Sequence, residues 1–255
     1  MLAHYGQTEH CTKAGGSPVT AADLASNAHI VHSIRAAFGE DAILSEESTD
    51  DGARFGARRV WVVDPLDGTR EFLAGNGEFS VMIGMLEEDE PVLGVVFVPA
   101  TGTMYGAERG RGAWAETGSG ARRALRCGPA DPGAIRMVGS RSHADPLLQR
   151  MAAALGVTDV LPSGSVGVKC ARIAEGERDL YVHPVPYLKE WDTCAPEIVL
   201  REAGGVVTDC RGGPLRYNKP GPAQPDGILA CVGSLHGPVL AKIGPLYAAA
   251  VAAAE

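Results

Sequence analysis

The order of apolar and polar positions along the chain divides it into two regions of different character. Residues 17–39 place Leu24, Val31, Ile34 and Phe38 at helical spacing and stop at Gly39, which predicts an early amphipathic helix. A short apolar run at 42–44 leads into the acidic group Ser45-Glu46-Glu47-Ser48. Residues 59–63 are β-branched and aromatic and read as a strand that meets Asp64-Pro65. Proline cannot donate to a sheet ladder, so the strand is expected to end there and the chain to turn. From 79 to 115 the pattern is strand throughout, at 79–86, 92–98, 103–107 and 113–115. Turn residues at 88–91, 99–102 and 110–112 separate these runs, which predicts an antiparallel meander followed by a polar loop at 118–121.

A second region opens near Pro132. It reads as a strand at 135–139, helices at 145–155 and 166–175, a strand at 180–182, and a loop broken by Pro184 and Pro186. A helix at 193–203 closes at Gly204-Gly205, strands follow at 206–208 and 228–232, and an alanine-rich helix spans 239–254. These elements do not alternate as regular βαβ units, so a layered α+β fold is expected in preference to a doubly wound sheet. The expected organisation is two lobes sharing a cleft. Residues 1–130 form the lobe with the acidic motifs, and residues 131–255 supply Asp192 and the contacts to substrate.

Charge and cysteine content then exclude several classes. A net charge of -8 argues against a nucleic-acid groove, which needs a basic surface. A small phosphorylated substrate stays compatible, because bound divalent cations supply positive charge locally. The six cysteines show no CxxC pair or zinc-knuckle spacing and are expected to be reduced, buried thiols. No segment approaches 18 consecutive apolar residues, so a soluble, cytoplasmic protein is expected.

The chemistry centres on Asp64-Pro65-Leu66-Asp67-Gly68-Thr69. Two carboxylates three positions apart at the end of a strand can aim at one point and leave the Leu66 carbonyl as a further oxygen ligand. Magnesium takes such hard ligands. Gly68 and Thr69 offer backbone N–H groups to phosphate oxygens at an expected helix start. Taken singly, each acidic feature also has a plain structural reading. Asp-Pro-x-Asp-Gly is a common turn, Glu46-Glu47 fits a solvated loop face, and Asp192 fits a helix N-cap. Thr20-Ala21-Ala22-Asp23 matches a capping box. What these separate readings leave unexplained is the joint arrangement.

Three segments together carry a resemblance: Ser45-Glu46-Glu47-Ser48, then 61–72 (Trp-Val-Val-Asp-Pro-Leu-Asp-Gly-Thr-Arg-Glu-Phe), then 190–197 (Glu-Trp-Asp-Thr-Cys-Ala-Pro-Glu) ending in Glu202-Ala203-Gly204-Gly205. In order and spacing the chain resembles the inositol monophosphatase superfamily from about Ser17 to Gly237. The resemblance implies a layered αβαβα sandwich, with an antiparallel N-terminal sheet and a smaller mixed C-terminal sheet. It also implies lithium-sensitive, magnesium-dependent phosphatase chemistry. Residues 17–23, 70–72, 76–80, 140–145 and 191–197 look most like the 3'(2'),5'-bisphosphate nucleotidase branch. Inositol enzymes typically place a sugar-binding glutamate shortly before the Trp-Asp pair, and residues 181–187 contain no carboxylate. Lys13-Ala14 departs from the Lys-Asp usual in that branch.

By resemblance, Glu46, Asp64, the Leu66 carbonyl, Asp67 and Asp192 hold two or three Mg2+ ions. Glu46 and Thr69 orient the attacking water, with Asp23 as the base paired to the Thr69 hydroxyl. Gly68 and Thr69 hold the phosphate, and Ser165, Lys169 and His143 contact the rest of the substrate, with Arg70 and Glu71 as weaker candidates. For the segment 164–167 a flexible loop before a helix is the plain alternative, and for His143 and Lys169 a surface position is. The expected reaction is hydrolysis of 3'-phosphoadenosine 5'-phosphate to AMP and phosphate. An inositol- or sugar-phosphate phosphatase is the alternative within the fold, and a catalytically silent nucleotide-binding regulator is the alternative outside it. A homodimer is a common assembly among relatives.

Overall fold

The computed structural model describes residues 2, 5–6, 10–12, 18–118, 120–141 and 145–253, and the counts below refer to these. A short antiparallel ribbon, β1 (Cys11–Thr12) and β2 (Pro18–Val19), leads into the first helix. Thr20 starts that helix, α1 (Ala21–Ala37), as an extended N-cap whose Oγ1 accepts from the amides of Ala22 and Asp23. Asp23 Oδ2 accepts the Thr20 amide in return at 2.7 Å, which completes a capping box. The expected apolar stripe is only half correct. Leu24 and Phe38 are 54% and 43% exposed, and the buried face carries Ala22, Asp23, Ile30 and Ile34. The cap turns Asp23 inward, and the helix face follows from that.

β3 (Ala42–Ser45) pairs in parallel with β4 (Arg59–Asp67), and the remaining neighbours of this sheet are antiparallel. They are β5 (Ser80–Glu87), β6 (Glu90–Val98), β7 (Thr103–Glu108), β8 (Ala113–Glu116) and β9 (Arg122–Leu125), in sequence order across seven strands. The meander is as expected. β4, however, does not stop at Pro65. It continues to Asp67 through a register shift between Asp64 and Asp67, and a proline is tolerated at such a bulge because its missing N–H is not needed there. α2 (Thr69–Ala74) follows, entered through Gly68 at φ 92°.

The second sheet has five strands in the order β11-β10-β12-β14-β13: β10 (Arg136–Ser140), β11 (Asp159–Ser163), β12 (Leu180–His183), β13 (Gly205–Thr208) and β14 (Ile228–Val232). β10 pairs in parallel with β11 and β12, and β14 is antiparallel to β12 and β13. β9 and β11 were not anticipated. Both are largely exposed edge strands without apolar alternation, so the pattern that reveals a half-buried strand is missing.

Helices form the other layers. α1 covers the outer face of the seven-stranded sheet, where Ile30 and Ile34 pack on Trp61 and Val63. α4 (Val166–Ala174) and α5 (Glu190–Glu202) lie between the sheets and share one core with Val60, Val62, Met82 and Ala230. α3 (Pro146–Leu155) and α6 (His236–Ala252) cover the far face of the second sheet. The result is an αβαβα sandwich. Glycine permits the close seating of α5: a Cβ at Gly94 would lie 2.4 Å from Ile198 Cγ2 and 2.6 Å from the Ala195 carbonyl. The six cysteines are free. Cys170, Cys194, Cys210 and Cys231 are buried, but Cys127 is only half-buried and Cys11 is exposed, against expectation.

Candidate active site

Strand parity and one bulge build the acidic centre. Along β4, Val60 and Val62 face the α4/α5 layer while Trp61 and Val63 face α1. Asp64 continues the inward set and is 1% exposed. Simple alternation would send Asp67 to the opposite face. The pairing register advances three residues on β4, from Asp64 to Asp67, against two on β5, from Met82 to Ser80. That extra residue restores the phase and puts both carboxylates on one side. The Leu66 amide donates to Asp64 Oδ1 at 2.9 Å and fixes the turn.

Asp192 arrives from the opposite layer. It is the third residue of α5, and its Oδ2 accepts the Lys189 amide at 2.5 Å. Asp192 is thus not the N-cap expected from the pattern: that residue is Lys189, the helix starts at Glu190, three residues earlier than expected, and Asp192 caps the start from inside the first turn. The ligand oxygens of Asp64, Asp67 and Asp192 lie within 4.8 Å of one another. Glu46 follows β3, whose parallel register sets Ser45 beside Val63; the Glu46 amide donates to the Val63 carbonyl at 3.1 Å. Its side chain lines the same cleft.

Burial drives the Asp64 carboxyl well above the ordinary range, with Glu46, Asp67 and Asp192 adding like-charge repulsion. Asp192 is raised well above its usual value for the same reasons, burial first and then Asp67 and Glu46. Asp67 is raised by burial, but Lys169, the Ser165 hydroxyl and backbone amides oppose the shift. Burial in turn lowers Lys169. An oxygen-only set of mutually repelling carboxylates, with Asp64 buried and Asp67 and Asp192 half-buried, fits a hard divalent cation, which would remove the repulsion.

Beside this cluster, Thr69 Oγ1 lies 3.2 Å from Asp23 Oδ1 and 3.3 Å from the Leu66 carbonyl, so its proton has two acceptors. The whole lines a cleft of about 260 Å³ that also includes Gly68, Arg70, Glu71, Ser165 and Lys169. Lys169 is no surface residue. It is 4% exposed, its Nζ donates to the Ser165 carbonyl at 3.1 Å, and it lies 5.1 Å from the centre of the Tyr181 ring. The Ser165 hydroxyl is turned to protein partners, Asp67 Oδ2 at 2.6 Å among them. His143 and the segment 13–16 lie outside the described residues.

Sequence reasoning passed over Tyr181, His183 and Tyr187, which line the cleft from the second sheet and the loop after it. Alternation along β12 was the available signal, since Leu180 and Val182 face the α3/α6 core and Tyr181 faces the other way. It also passed over Arg54, which is 1% exposed. Arg54 bonds Asp50, the Asn218 side chain and the Lys219 carbonyl, across more than 160 positions in the last two cases. No local pattern announces such a residue.

Comparison with known proteins agrees with this geometry. The chain is 40% identical over 207 residues to the 3'(2'),5'-bisphosphate nucleotidase CysQ of Escherichia coli (strain K12), a match covering 81% of this chain and 82% of that protein. The structure of CysQ from Bacteroides thetaiotaomicron, described as a bacterial member of the inositol monophosphatase family, superposes with a TM-score of 0.72. It is 34% identical and covers 86% of each chain. The Thermotoga maritima IMPase superposes with a TM-score of 0.80 at 26% identity, over 96% of this chain and 91% of that one. The profile of the Inositol monophosphatase family matches residues 3–241. With its αβαβα layers and the acids of β4 and α5 meeting in one cleft, the chain belongs to the inositol monophosphatase family.

Proposed function

We propose that this chain is a Mg2+-dependent phosphomonoesterase that hydrolyses 3'-phosphoadenosine 5'-phosphate to AMP and phosphate. The observation that carries the reading is the convergence of Asp64, Asp67 and Asp192 within 4.8 Å, in a cleft that also holds the buried cation Lys169. The likeness to the CysQ nucleotidases supports the nucleotide substrate. The lack of a carboxylate in residues 181–187 speaks against an inositol ring. The division of labour follows the two lobes, 1–130 with the acidic motifs and 131–255 with Asp192 and the substrate contacts.

Glu46, Asp64, the Leu66 carbonyl, Asp67 and Asp192 would hold two or three Mg2+ ions. When bound, Mg2+ supplies positive charge to the phosphoryl oxygens and acidity to the nucleophilic water. Asp23 accepts from the Thr69 hydroxyl, which leaves a lone pair of that oxygen free to receive the nucleophilic water, and Glu46 would share in orienting that water. The amides of Gly68 and Thr69 receive phosphate oxygens. Lys169 offers its ammonium to the second phosphate of the substrate, and His143 is a further candidate there. The reading includes inhibition by lithium and a cytoplasmic location. No helix among the described residues is long and apolar enough to cross a membrane.

A panel of 3'-phosphoadenosine 5'-phosphate, inositol 1-phosphate and sugar phosphates, each with Mg2+ and with EDTA, tests this. The expected result is Mg2+-dependent phosphate release with the nucleotide strongly preferred. Preference for inositol 1-phosphate would move the chain to the other branch of its family. No release from any of them would leave a silent nucleotide-binding protein.

A further inference from the structure

Among the described residues, four non-glycine positions have positive φ, and only Ser165 of these lines the acidic cleft. Its φ of 40° and ψ of 130° form a combination that L side chains rarely adopt. Such strain persists where the surroundings over-determine it. They do so here. The preceding Gly164 is wedged so that a Cβ would meet Glu71 Cγ and the Glu78 carbonyl at 2.4 Å each. Its amide donates to Glu78 Oε2 at 2.9 Å, and Arg141 grips both oxygens of that carboxylate at 2.8 Å.

The hydroxyl of Ser165 is fully occupied. It donates its proton to Asp67 Oδ2 at 2.6 Å and accepts the Val168 amide at 3.1 Å. The Ser80 hydroxyl lies 2.8 Å away and, with the Ser165 proton already committed, is the donor of that pair. One donor and two acceptors exhaust a serine hydroxyl. Ser80 is also the residue paired with Asp67 across the β4–β5 ladder, so two side-chain bonds and one backbone pairing link Asp67, Ser165 and Ser80 in a closed loop. The Gly167 amide adds a second donor to Asp67 Oδ2 at 3.2 Å.

We propose that Ser165 is a positioning residue: its hydroxyl pins Asp67 Oδ2 from the strained turn before α4 and leaves Oδ1 as the oxygen offered to a cation. This places its hydroxyl on Asp67 instead of on substrate. The inference rests on the reading of Asp67 as a cation ligand. Groups of this kind behind a metal ligand, when removed, typically weaken binding by about 10–100-fold.

The test uses the full chain with Ser165→Ala and Ser165→Gly, Mg2+ titrated by calorimetry, and turnover measured against Mg2+ concentration. Both variants should bind Mg2+ about tenfold more weakly, and raising Mg2+ should restore turnover lost at limiting concentration. Ser165→Gly should also melt above Ser165→Ala in EDTA, because glycine takes positive φ without strain. Unchanged Mg2+ affinity in both variants, with a raised KM for substrate at saturating Mg2+, would reassign the hydroxyl to substrate and overturn the proposal. Asp67→Asn is the control that separates the two levels. If that variant binds Mg2+ like the parent, the cation reading itself fails and the role of Ser165 fails with it.

Discussion

Asp23 and Thr69 meet across 46 positions of sequence, with the Thr69 hydroxyl 3.2 Å from Asp23 Oδ1. The other oxygen of Asp23 is committed to the Thr20 amide and hydroxyl at 2.7 and 2.6 Å. One carboxylate therefore caps α1 and orients a hydroxyl at the edge of the acidic cleft. The capping reading of Asp23 is met by one oxygen, and the other is left to the Thr69 contact on which the proposed catalytic role depends.

If that pair acts as a unit in proton transfer, Thr69→Ala and Asp23→Asn should each lower kcat by about 100-fold or more. The double variant should be no worse than the poorer single one. Steady-state kinetics of the three variants, with thermal melts to confirm folding, checks this. Additive losses would show that the two residues act separately.

Asp64→Asn should abolish turnover and yet stabilise the protein in EDTA. The amide oxygen can still accept the Leu66 amide, while a buried charge amid three neighbouring acids is removed. Because the folded protein raises the Asp64 pKa above its unfolded value, it binds more protons than the unfolded chain once pH exceeds about 4. The parent therefore loses stability relative to Asp64→Asn as pH rises from there toward the raised folded value. Melts of both proteins in EDTA from pH 4 upward should show the gap widening as pH rises. Adding Mg2+ should raise the parent's melting temperature more than the variant's.

The start of α5 is anchored by Glu190, which is fully buried. It accepts from the Asn218 amide at 2.7 Å, the Lys219 amide at 3.1 Å and Lys219 Nζ at 2.9 Å. Glu190→Gln keeps the shape but leaves Lys219 without its charge partner, and should cost about 3 kcal/mol in urea unfolding. Since Asp192 lies two residues on, Mg2+ affinity should fall as well. A loss of stability with no change in Mg2+ binding would confine Glu190 to a structural role.

Gly94→Ala should destabilise by about 1–3 kcal/mol, because the added methyl would strike Ile198 and the Ala195 carbonyl where α5 crosses β6. Denaturant unfolding with an unchanged m-value checks it.

The sequence was most informative where a signal is local. The capping box at Thr20–Asp23, the meander strands and the long helices are each written in neighbouring residues, and the structure keeps them within a few positions. Each acidic motif singly reads as a turn, a loop face or a cap, and the motifs became legible as chemistry only through their joint order and spacing, on which the resemblance assigned them one site. Edge strands β9 and β11 were illegible because an exposed strand needs no apolar alternation. The stripe of α1 was misjudged at Leu24, which faces solvent on the side away from Ile30 and Ile34, and at Phe38, which lies past the last helical residue as the C-cap.

By itself the sequence determined which residues could bind a hard cation and where the long helices and the buried strands run, since both depend on side-chain chemistry and short-range pattern. Only the tertiary structure decided that β4 runs through Pro65, and that its one-residue bulge swings Asp67 to the side of Asp64. The fold also decided that Lys169 is buried against the acids and that the Ser165 hydroxyl is spent on Asp67. The physical reason is that these outcomes depend on ladder register and layer packing. Both are set by contacts between residues up to about a hundred and more positions apart, such as Asp67 with Ser165 and Arg54 with Asn218.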